Sequence, residues 1–255
     1  MAVLLITNDD GVHAAGLAAL AHALEPLGEV HVIAPEREQS ACGHSLTLHR
    51  PITPRRLRDR WHSVNGTPSD CVNLGVLGFL PERPVLVVSG INHGSNLGDD
   101  VTYSGTVSAA MEGTLLGVPS IAVSQMEGGD FAHAGEVARL VAARVLVEGL
   151  PAKTLINVNV PADHARGMRI TRLGHRTYSD KIVEHGDPRG RTHYWIGGGA
   201  PQWEALEESD IGALHAGFVA VTPVHLDLTN HRAVTHLAGW SGALSSQLKP
   251  RRKRS

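Results

Sequence analysis

The stretch Val3-Leu4-Leu5-Ile6-Thr7-Asn8-Asp9-Asp10-Gly11 decides the fold, because an apolar run of strand length leads directly into a polar turn. A helix pattern follows, with leucines at positions 17, 20, 24 and 27. Similar apolar runs at 30–33, 85–88, 121–123, 155–158 and 218–221 predict further strands, and we expect the first five strands to be parallel. The alternation of strands and helices predicts an α/β fold, a Rossmann-like open parallel sheet with helices on both faces.

Other segments complete this architecture. Apolar residues at 72, 76, 79 and 80, and at 107, 110, 111 and 115, recur at helical spacing. Thr67-Pro68-Ser69-Asp70 combines a capping residue, a proline at the first helical position and an acid at the third, so it predicts the start of a helix. Residues 174–201 interrupt the alternation of strands and helices and predict a hairpin excursion. The excursion belongs to a single domain that spans about 1–248.

Composition narrows the class of protein. The chain has 255 residues, 42% hydrophobic and only 4% aromatic, which is typical of a folded globular protein with helix-covered sheets. Five of the last seven residues are basic, and the rest of the chain carries 18 basic against 25 acidic residues, so nucleic-acid binding by the body is not expected. We expect the tail at 249–255 to be disordered. Two cysteines and no apolar run of membrane-spanning length predict a cytoplasmic protein with no membrane partner.

The adjacent carboxylates of Asp9 and Asp10 lie where the first predicted strand ends, which is the ligand-binding edge of such a sheet. Asn, Asp and Gly are also turn residues, so an ordinary turn is the alternative. A hairpin turn would lead into a second strand, whereas a helix pattern follows here. Neighbouring carboxylates also repel each other unless a cation intervenes, and this favours a metal site.

Two further polar loops are expected at the same edge, Pro35–Ser45 and Ser89–Thr106. The second loop ends in Ser104-Gly105-Thr106, which opens a helix and indicates either an anion site or an ordinary serine cap. Together the loops offer carboxylate, hydroxyl and amide oxygens, a set that suits Mg²⁺, Mn²⁺ or Ca²⁺ better than zinc. The HExxH, GxxxxGK[ST] and GxGxxG motifs are absent from the sequence, which disfavours a zinc protease, an NTPase and a dinucleotide oxidoreductase.

On these residues the chain resembles the SurE survival-protein nucleotidases, a family of 5′/3′-nucleotidases. The resemblance covers about 3–229 and is carried by Leu5–Gly11, by Ser89–Ser124 and by Val221–Val224 followed by Asp227-Leu228-Thr229. It implies a metal-dependent phosphatase that hydrolyses nucleoside 5′-monophosphates, with 3′-monophosphates as a second candidate substrate class and Mg²⁺ or Mn²⁺ as the cofactor. It also implies a homo-oligomer, a dimer or tetramer, formed partly by exchange of a carboxyl-terminal arm at about 225–248.

The resemblance also implies roles for individual residues. The metal ligands would be Asp9, Asp10, Ser40 and Asn92, and the phosphate would be held by Asn8, Asn96, Ser104, Gly105 and Thr106. Asp9, Asp10 and Asn8 would then be the catalytic residues. One departure concerns Ser40, because the family usually has glycine directly after this serine and Ala41 stands there instead.

Three other functions remain open at this point. An aspartyl-phosphate phosphatase needs a nucleophilic aspartate two residues before a second one, and that position is Asn8, a poor nucleophile. A nucleotide sensor would use the same fold and anion site without turnover. Nucleic-acid binding through the basic tail would depend steeply on salt.

Overall fold

A computed structural model describes residues 1–177, 182–196, 202–203 and 206–245. The strands are β1 (Val3–Thr7), β2 (Glu29–Pro35), β3 (Pro54–Arg58), β4 (Trp61–Val64), β5 (Leu86–His93), β6 (Ser120–Gln125), β7 (Thr154–Val160), β8 (Met168–Ile170), β9 (Arg176–Thr177), β10 (Ile182–Gly186), β11 (Thr192–Ile196), β12 (Gln202–Trp203) and β13 (Val219–His225). The helices are α1 (Ala15–Leu24), α2 (Pro68–Leu74), α3 (Gly105–Leu115), α4 (Phe131–Glu148), α5 (Asp210–His215), α6 (His231–Leu237) and α7 (Trp240–Ser245). The architecture is α/β, as the sequence predicts.

The main sheet has nine strands in the order β3-β4-β2-β1-β5-β6-β7-β13-β8. The five strands predicted to be parallel, β1, β2, β5, β6 and β7, pair in parallel at its centre. Both margins of the sheet also contain an antiparallel pair that the sequence does not predict, because β3 runs antiparallel to β4 and β13 antiparallel to β7. Only Asp59 and Arg60 connect β3 to β4, which is too short for the crossover that a parallel pair needs.

Helices cover both faces of the sheet, so alternate strand residues face two different apolar layers. On one face, Leu17 and Leu20 of α1 and Val141 of α4 belong to one apolar cluster with Leu4 and Ile6 of β1. On the other face, α2 and α3 cover the remaining strand residues, among them Leu5 and Val87. These layers fix the strand ends, and therefore the polar loops that follow them, in one rigid frame.

Local signals explain where two of the helices begin. The Thr67 hydroxyl oxygen accepts the N–H of Asp70 at 3.1 Å, and the Asp70 carboxylate accepts the N–H of Thr67 at 2.8 Å. This reciprocal pair confirms the predicted start of α2 at Pro68. Ser104 begins α3 in a similar way, because its hydroxyl oxygen accepts the N–H of Val107 at 3.1 Å.

The structure extends β5 beyond the predicted strand, through Asn92 to His93. The register with β6 shifts between Ser89 and Asn92, where Gly90 has a φ of +137°. A local irregularity of this kind lets a strand continue past residues that a regular ladder would exclude. Asn92 is therefore a strand residue and not a residue of the following loop.

The carboxyl-terminal third departs from the central pattern. Strands β10 and β11 form an antiparallel hairpin at 182–196, inside the predicted excursion. After β13, where the sequence shows only weak periodicity, two short helices follow, α6 and α7. The basic tail at 249–255 lies outside the described residues. Within the described ranges, no helix has the length and apolar character that a bilayer span requires.

Candidate active site

Two adjacent carboxylates occupy the carboxyl end of β1. Asp9 is buried, and its carboxylate accepts the hydroxyl of Thr106 at the start of α3. The Asp10 carboxylate accepts the backbone N–H of His93 at 3.3 Å. The ends of β1, β5 and α3 therefore converge on this pair, as the sequence predicts for the ligand-binding edge.

The electrostatics of the pair favour a positive ligand. Burial raises the pKa of Asp9 to about 6, against the hydrogen bond from Thr106, and the Asp10 charge adds to the rise. Burial also raises the pKa of Asp10, and the nearby charge of Glu38 raises it further. Both carboxylates resist ionisation, and either a proton or a bound cation would remove the repulsion between their negative charges. The pair therefore fits a hard divalent metal ion.

The start of α3 lies directly against Asp9. A methyl group on Gly105 would come within 2.7 Å of the Asp9 Cβ, 2.8 Å of its Oδ2 and 3.1 Å of the Cys42 Sγ. The backbone N–H of Thr106 also faces the carboxylate and lowers the pKa of Asp9. Ser104 is the serine cap, one of the two alternatives left open by the sequence, while Gly105 and Thr106 form the end that meets the carboxylate. The helix end and the acidic pair are thus one site.

Asn8 supplies an unsatisfied polar group next to the pair. Its Nδ2 donates to the carbonyl oxygen of Gly11 at 3.0 Å. Its Oδ1 is buried and has no hydrogen-bond partner among the described residues. Buried polar atoms are rarely left unsatisfied, so this oxygen is an observation in favour of a bound ligand.

The other two predicted metal ligands differ in placement. Asn92 donates from Nδ2 to the carbonyl oxygen of Gly94 at 2.8 Å, which leaves its side-chain oxygen as the atom for a cation. It precedes His93, whose N–H contacts Asp10. Ser40 is exposed, and its hydroxyl donates to Glu38 at 2.6 Å. The structure therefore brings Asn92 beside the acidic pair but turns the Ser40 hydroxyl toward a glutamate.

The Asn96 loop is fixed by residues that the sequence analysis did not single out. The Nδ2 of Asn96 donates to the Ser124 hydroxyl at 2.8 Å, and its backbone N–H donates to Asn159 Oδ1, also at 2.8 Å. Ser124 and Asn159 lie side by side at the ends of β6 and β7. The sequence does contain an indication of these residues, because polar side chains at the end of an otherwise apolar buried strand need a hydrogen-bond partner.

Asp210 clamps the same loop from the distant end of the sequence. Its Oδ2 accepts the N–H of Gly98 at 2.8 Å, and its Oδ1 accepts those of Gly174 at 2.8 Å and Ile211 at 2.9 Å. Burial raises the pKa of Asp210 against these three hydrogen bonds. Sequence alone gives no sign that a residue at the start of α5 orders the candidate site.

The loop that carries Ser40 is joined to α3 by a partly buried histidine–glutamate contact. His44 Nε2 lies 2.5 Å from Glu112 Oε2 on α3, and Asn73 on α2 donates to the other Glu112 oxygen at 2.8 Å. The hydrogen bond from His44 lowers the pKa of Glu112 below its ordinary value of 4.5, although burial opposes this shift. The contact therefore joins the Ser40 loop to the helix whose first residues face Asp9.

This contact predicts a pH-dependent loss of stability. A carboxyl group whose pKa is lowered by folding stabilises the protein above its ordinary pKa and loses that effect as the pH falls through the folded value. The Glu112→Gln variant should therefore be less stable than the wild type at pH 7, and the difference should shrink below pH 4.5. Urea unfolding between pH 3 and pH 7 measures this. Glu148→Gln, which alters an exposed pair with Arg144, is the control and should show little difference at any pH.

The fold and this edge define an α/β protein that places paired carboxylates beside a helix N-terminus, the class of site suited to phosphate groups and a divalent cation. The family described as "Survival protein SurE" matches residues 4–180. The chain belongs to the SurE family.

Individual relatives cover nearly the whole chain. A protein named 5′-nucleotidase SurE from Syntrophotalea carbinolica is 54% identical over 244 residues, which is 94% of this chain and 97% of that protein. Another of the same name, from Pelobacter propionicus, is 51% identical and covers 93% of this chain and 98% of its own length. The crystal structure of the SurE protein from Aquifex aeolicus superposes with a TM-score of 0.84 at 42% identity, covering 94% of this chain and 99% of that one.

Proposed function

We propose that this protein is a 5′-nucleotidase, a metal-dependent phosphatase that hydrolyses nucleoside monophosphates to nucleoside and phosphate. The observation that carries the proposal is the contact between the Asp9 carboxylate and the first residues of α3, Gly105 and Thr106. This contact places the carboxylates of Asp9 and Asp10, which need a cation, beside the N-terminus of α3, which favours an anion. The names of the relatives supply the substrate class.

Asp9, Asp10 and Asn92 would hold the metal through oxygen atoms, with Ser40 as a fourth ligand once its hydroxyl turns from Glu38. The unsatisfied charge of the acidic pair and the hard oxygen donors favour Mg²⁺ or Mn²⁺. When bound, such a cation supplies positive charge to the phosphoryl oxygens and lowers the pKa of a water molecule. The cytoplasmic location expected from the sequence remains part of this proposal.

The phosphate group would lie between the acidic pair and the start of α3. Asn96 would donate an amide N–H group to it, and Asn8 would donate the one N–H group of its Nδ2 that Gly11 does not accept. The N–H groups of Gly105 and Thr106 would face its oxygens, with Ser104 capping the helix. Donors fixed before the substrate arrives stabilise charge that redistributes during phosphoryl transfer without reorganising. A covalent intermediate is not required.

The leaving oxygen needs a proton, and we propose that His93 supplies it. It is exposed at the end of β5, its ring contacts Phe131 edge-on at 6.2 Å, and its charge interacts with Asp10. His93 would therefore act as the general acid for the leaving alkoxide.

Phosphate release tests the proposal. The purified protein is incubated with a panel of nucleoside 5′- and 3′-monophosphates and simple phosphomonoesters, each with Mg²⁺, Mn²⁺ or EDTA. We expect inorganic phosphate from nucleoside monophosphates with metal and none with EDTA. Tight nucleotide binding without phosphate release under every condition would replace the proposal with a nucleotide sensor.

We further propose that the protein is a homo-oligomer that exchanges its carboxyl-terminal arm at about 225–248. The apolar side chains of α6 and α7 support this, because Val234, Leu237, Trp240 and Leu244 are all exposed. A row of large apolar side chains is normally covered by a partner surface.

Truncation after Thr229 should therefore convert an oligomer into a monomer. Sedimentation velocity at micromolar concentration is expected to give a dimer or tetramer for the full chain and a smaller species for the truncated one. A full chain that sediments as a monomer, together with a truncated chain that remains soluble and active, would contradict the exchanged arm.

A further inference from the structure

A cluster of three buried polar side chains lies under the loop that carries Asn96. Ser124 is the last residue but one of β6, and Asn157 and Asn159 lie on β7, where Asn159 pairs in register with Ser124. We call these three residues the amide ledge. All three are fully buried, in strands whose other residues are mostly apolar.

Asn159 binds the backbone of Asn96 as a neighbouring strand would. Its Oδ1 accepts the Asn96 N–H at 2.8 Å, and its Nδ2 donates to the Asn96 carbonyl oxygen at 2.9 Å. Asn157 Nδ2 donates to the same carbonyl oxygen at 2.8 Å. Three hydrogen bonds from β7 therefore fix both polar groups of one loop residue that lies more than 60 positions earlier in the chain.

Ser124 fixes the side chain of Asn96 instead of its backbone. The Ser124 hydroxyl oxygen accepts from Asn96 Nδ2 at 2.8 Å. The bond anchors the side-chain amide group of Asn96 to the end of β6. It uses one of the two N–H groups on Nδ2, so the second N–H and the Oδ1 of Asn96 remain for another partner.

The side chains of the amide ledge make hydrogen bonds to Asn96 alone among the described residues. Burying three polar side chains costs free energy that apolar residues at the same positions would not. Stability alone is therefore a poor account of the cluster, whereas the placement of one loop residue accounts for each of its bonds.

We infer that Ser124, Asn157 and Asn159 are positioning residues that act through Asn96 and hold its amide toward the phosphate of the substrate. The inference rests on the proposed function, in which Asn96 binds that phosphate. The amide ledge would thus set the affinity for phosphate without touching either the substrate or the metal.

A mutant cycle between the ledge and Asn96 tests this. The variants are Ser124→Ala, Asn159→Asp, Asn96→Ala and the two doubles with Asn96→Ala. Asn159→Asp preserves size and the acceptor for the Asn96 N–H but removes the donor to the Asn96 carbonyl. Ser120→Ala is the matched control, because Ser120 is a buried serine on the same strand whose hydroxyl donates to Val118 at 2.9 Å, at the other end of β6.

Three quantities are measured for each variant with saturating Mn²⁺: kcat/KM for a nucleoside monophosphate, the inhibition constant of inorganic phosphate and the melting temperature. The metal concentration for half-maximal activity is measured as well. We expect Ser124→Ala to raise the phosphate inhibition constant about fivefold to tenfold, the effect of one lost hydrogen bond, and Asn159→Asp to raise it more. In the Asn96→Ala background both ledge substitutions should change it less than about twofold, because the side chain that they position is gone.

The outcomes separate this inference from the proposed function. Additive effects in the cycle, or an equal change in Ser120→Ala, would make the ledge merely structural and overturn the inference while the phosphatase assignment stands. A shift in the metal requirement of Ser124→Ala would overturn it too. If Asn96→Ala leaves phosphate inhibition unchanged, the inference and the predicted phosphate role of Asn96 both fail, whereas a wild type that releases no phosphate contradicts the proposed function itself.

Discussion

Asp9→Asn is expected to lower kcat/KM for a nucleoside monophosphate at least about 10³-fold, the scale of losing a principal electrostatic group. The substitution keeps the shape of the side chain and an acceptor for the Thr106 hydroxyl, but it removes one negative charge from the pair. The concentration of Mn²⁺ needed for half-maximal activity should rise. The melting temperature in EDTA should be unchanged or higher, because burial and Asp10 raise the pKa of Asp9 and so disfavour its charged form in the folded protein.

Asp59→Asn serves as the control for this experiment. It removes the same charge from an exposed residue in the β3–β4 connection, where Asp59 pairs with Arg56 at 3.0 Å. Activity and metal requirement should match the wild type. A turn-forming role for Asp9 gives the reverse pattern, with near-normal activity and a lower melting temperature in EDTA, and that result would eliminate the metal assignment.

Gly105→Ala is expected to lower kcat/KM about 10²-fold or more when it is assayed with the same metal and the same substrate as the wild type. The added methyl group would lie 2.7 Å from the Asp9 Cβ and 2.8 Å from its Oδ2, closer than atoms of this kind approach, so either the carboxylate or the start of α3 must move. A displacement of about 1 Å in a positioned group has effects of this size. Steady-state kinetics and circular dichroism, on the same preparation, separate lost activity from lost structure.

Gly113→Ala is the matched substitution on the same helix. Its methyl group would meet Ser120 and Val87 in the core, remote from the acidic pair. We expect a lower melting temperature with nearly normal kcat/KM at 25 °C. If both glycine variants lose activity in proportion to their stability, the contact between Gly105 and Asp9 has no special role.

The centre of the fold could be predicted from the sequence because each strand there carries its own signal. Apolar runs such as the one before Asn8 have the length of buried strands, and the Thr67 capping box fixes the start of α2. The margins of the sheet were not predictable in this way. The direction of β13 depends on how the chain returns from α5, and the extension of β5 to His93 depends on an irregularity at Gly90 that no periodicity encodes.

The residues of the candidate site also fall into two groups, those that the sequence predicts and those that depend on tertiary structure. Asp9 and Asp10 could be found because they follow a strong strand signal, and the Ser104 cap because helix starts have a local pattern. The orientation of Ser40 toward Glu38, and the support of Asn96 by Asn159, depend on side chains brought together by tertiary structure. A sequence read residue by residue identifies polar groups at a sheet edge, but it does not show which of them contact each other.

The clamp made by Asp210 has a consequence for how the protein acquires activity during synthesis. Gly98 and Asp210 are 112 positions apart, so the loop beyond Asn96 cannot be anchored until more than four fifths of the chain has left the ribosome. Contacts of such separation form late, since closing a long loop costs entropy before any bond repays it. A nascent chain can therefore complete β1 and α3 early and still lack the carboxylate that binds Gly98. A chain that terminates before α5 would lack both this anchor and β13 of the main sheet, so it should have no activity.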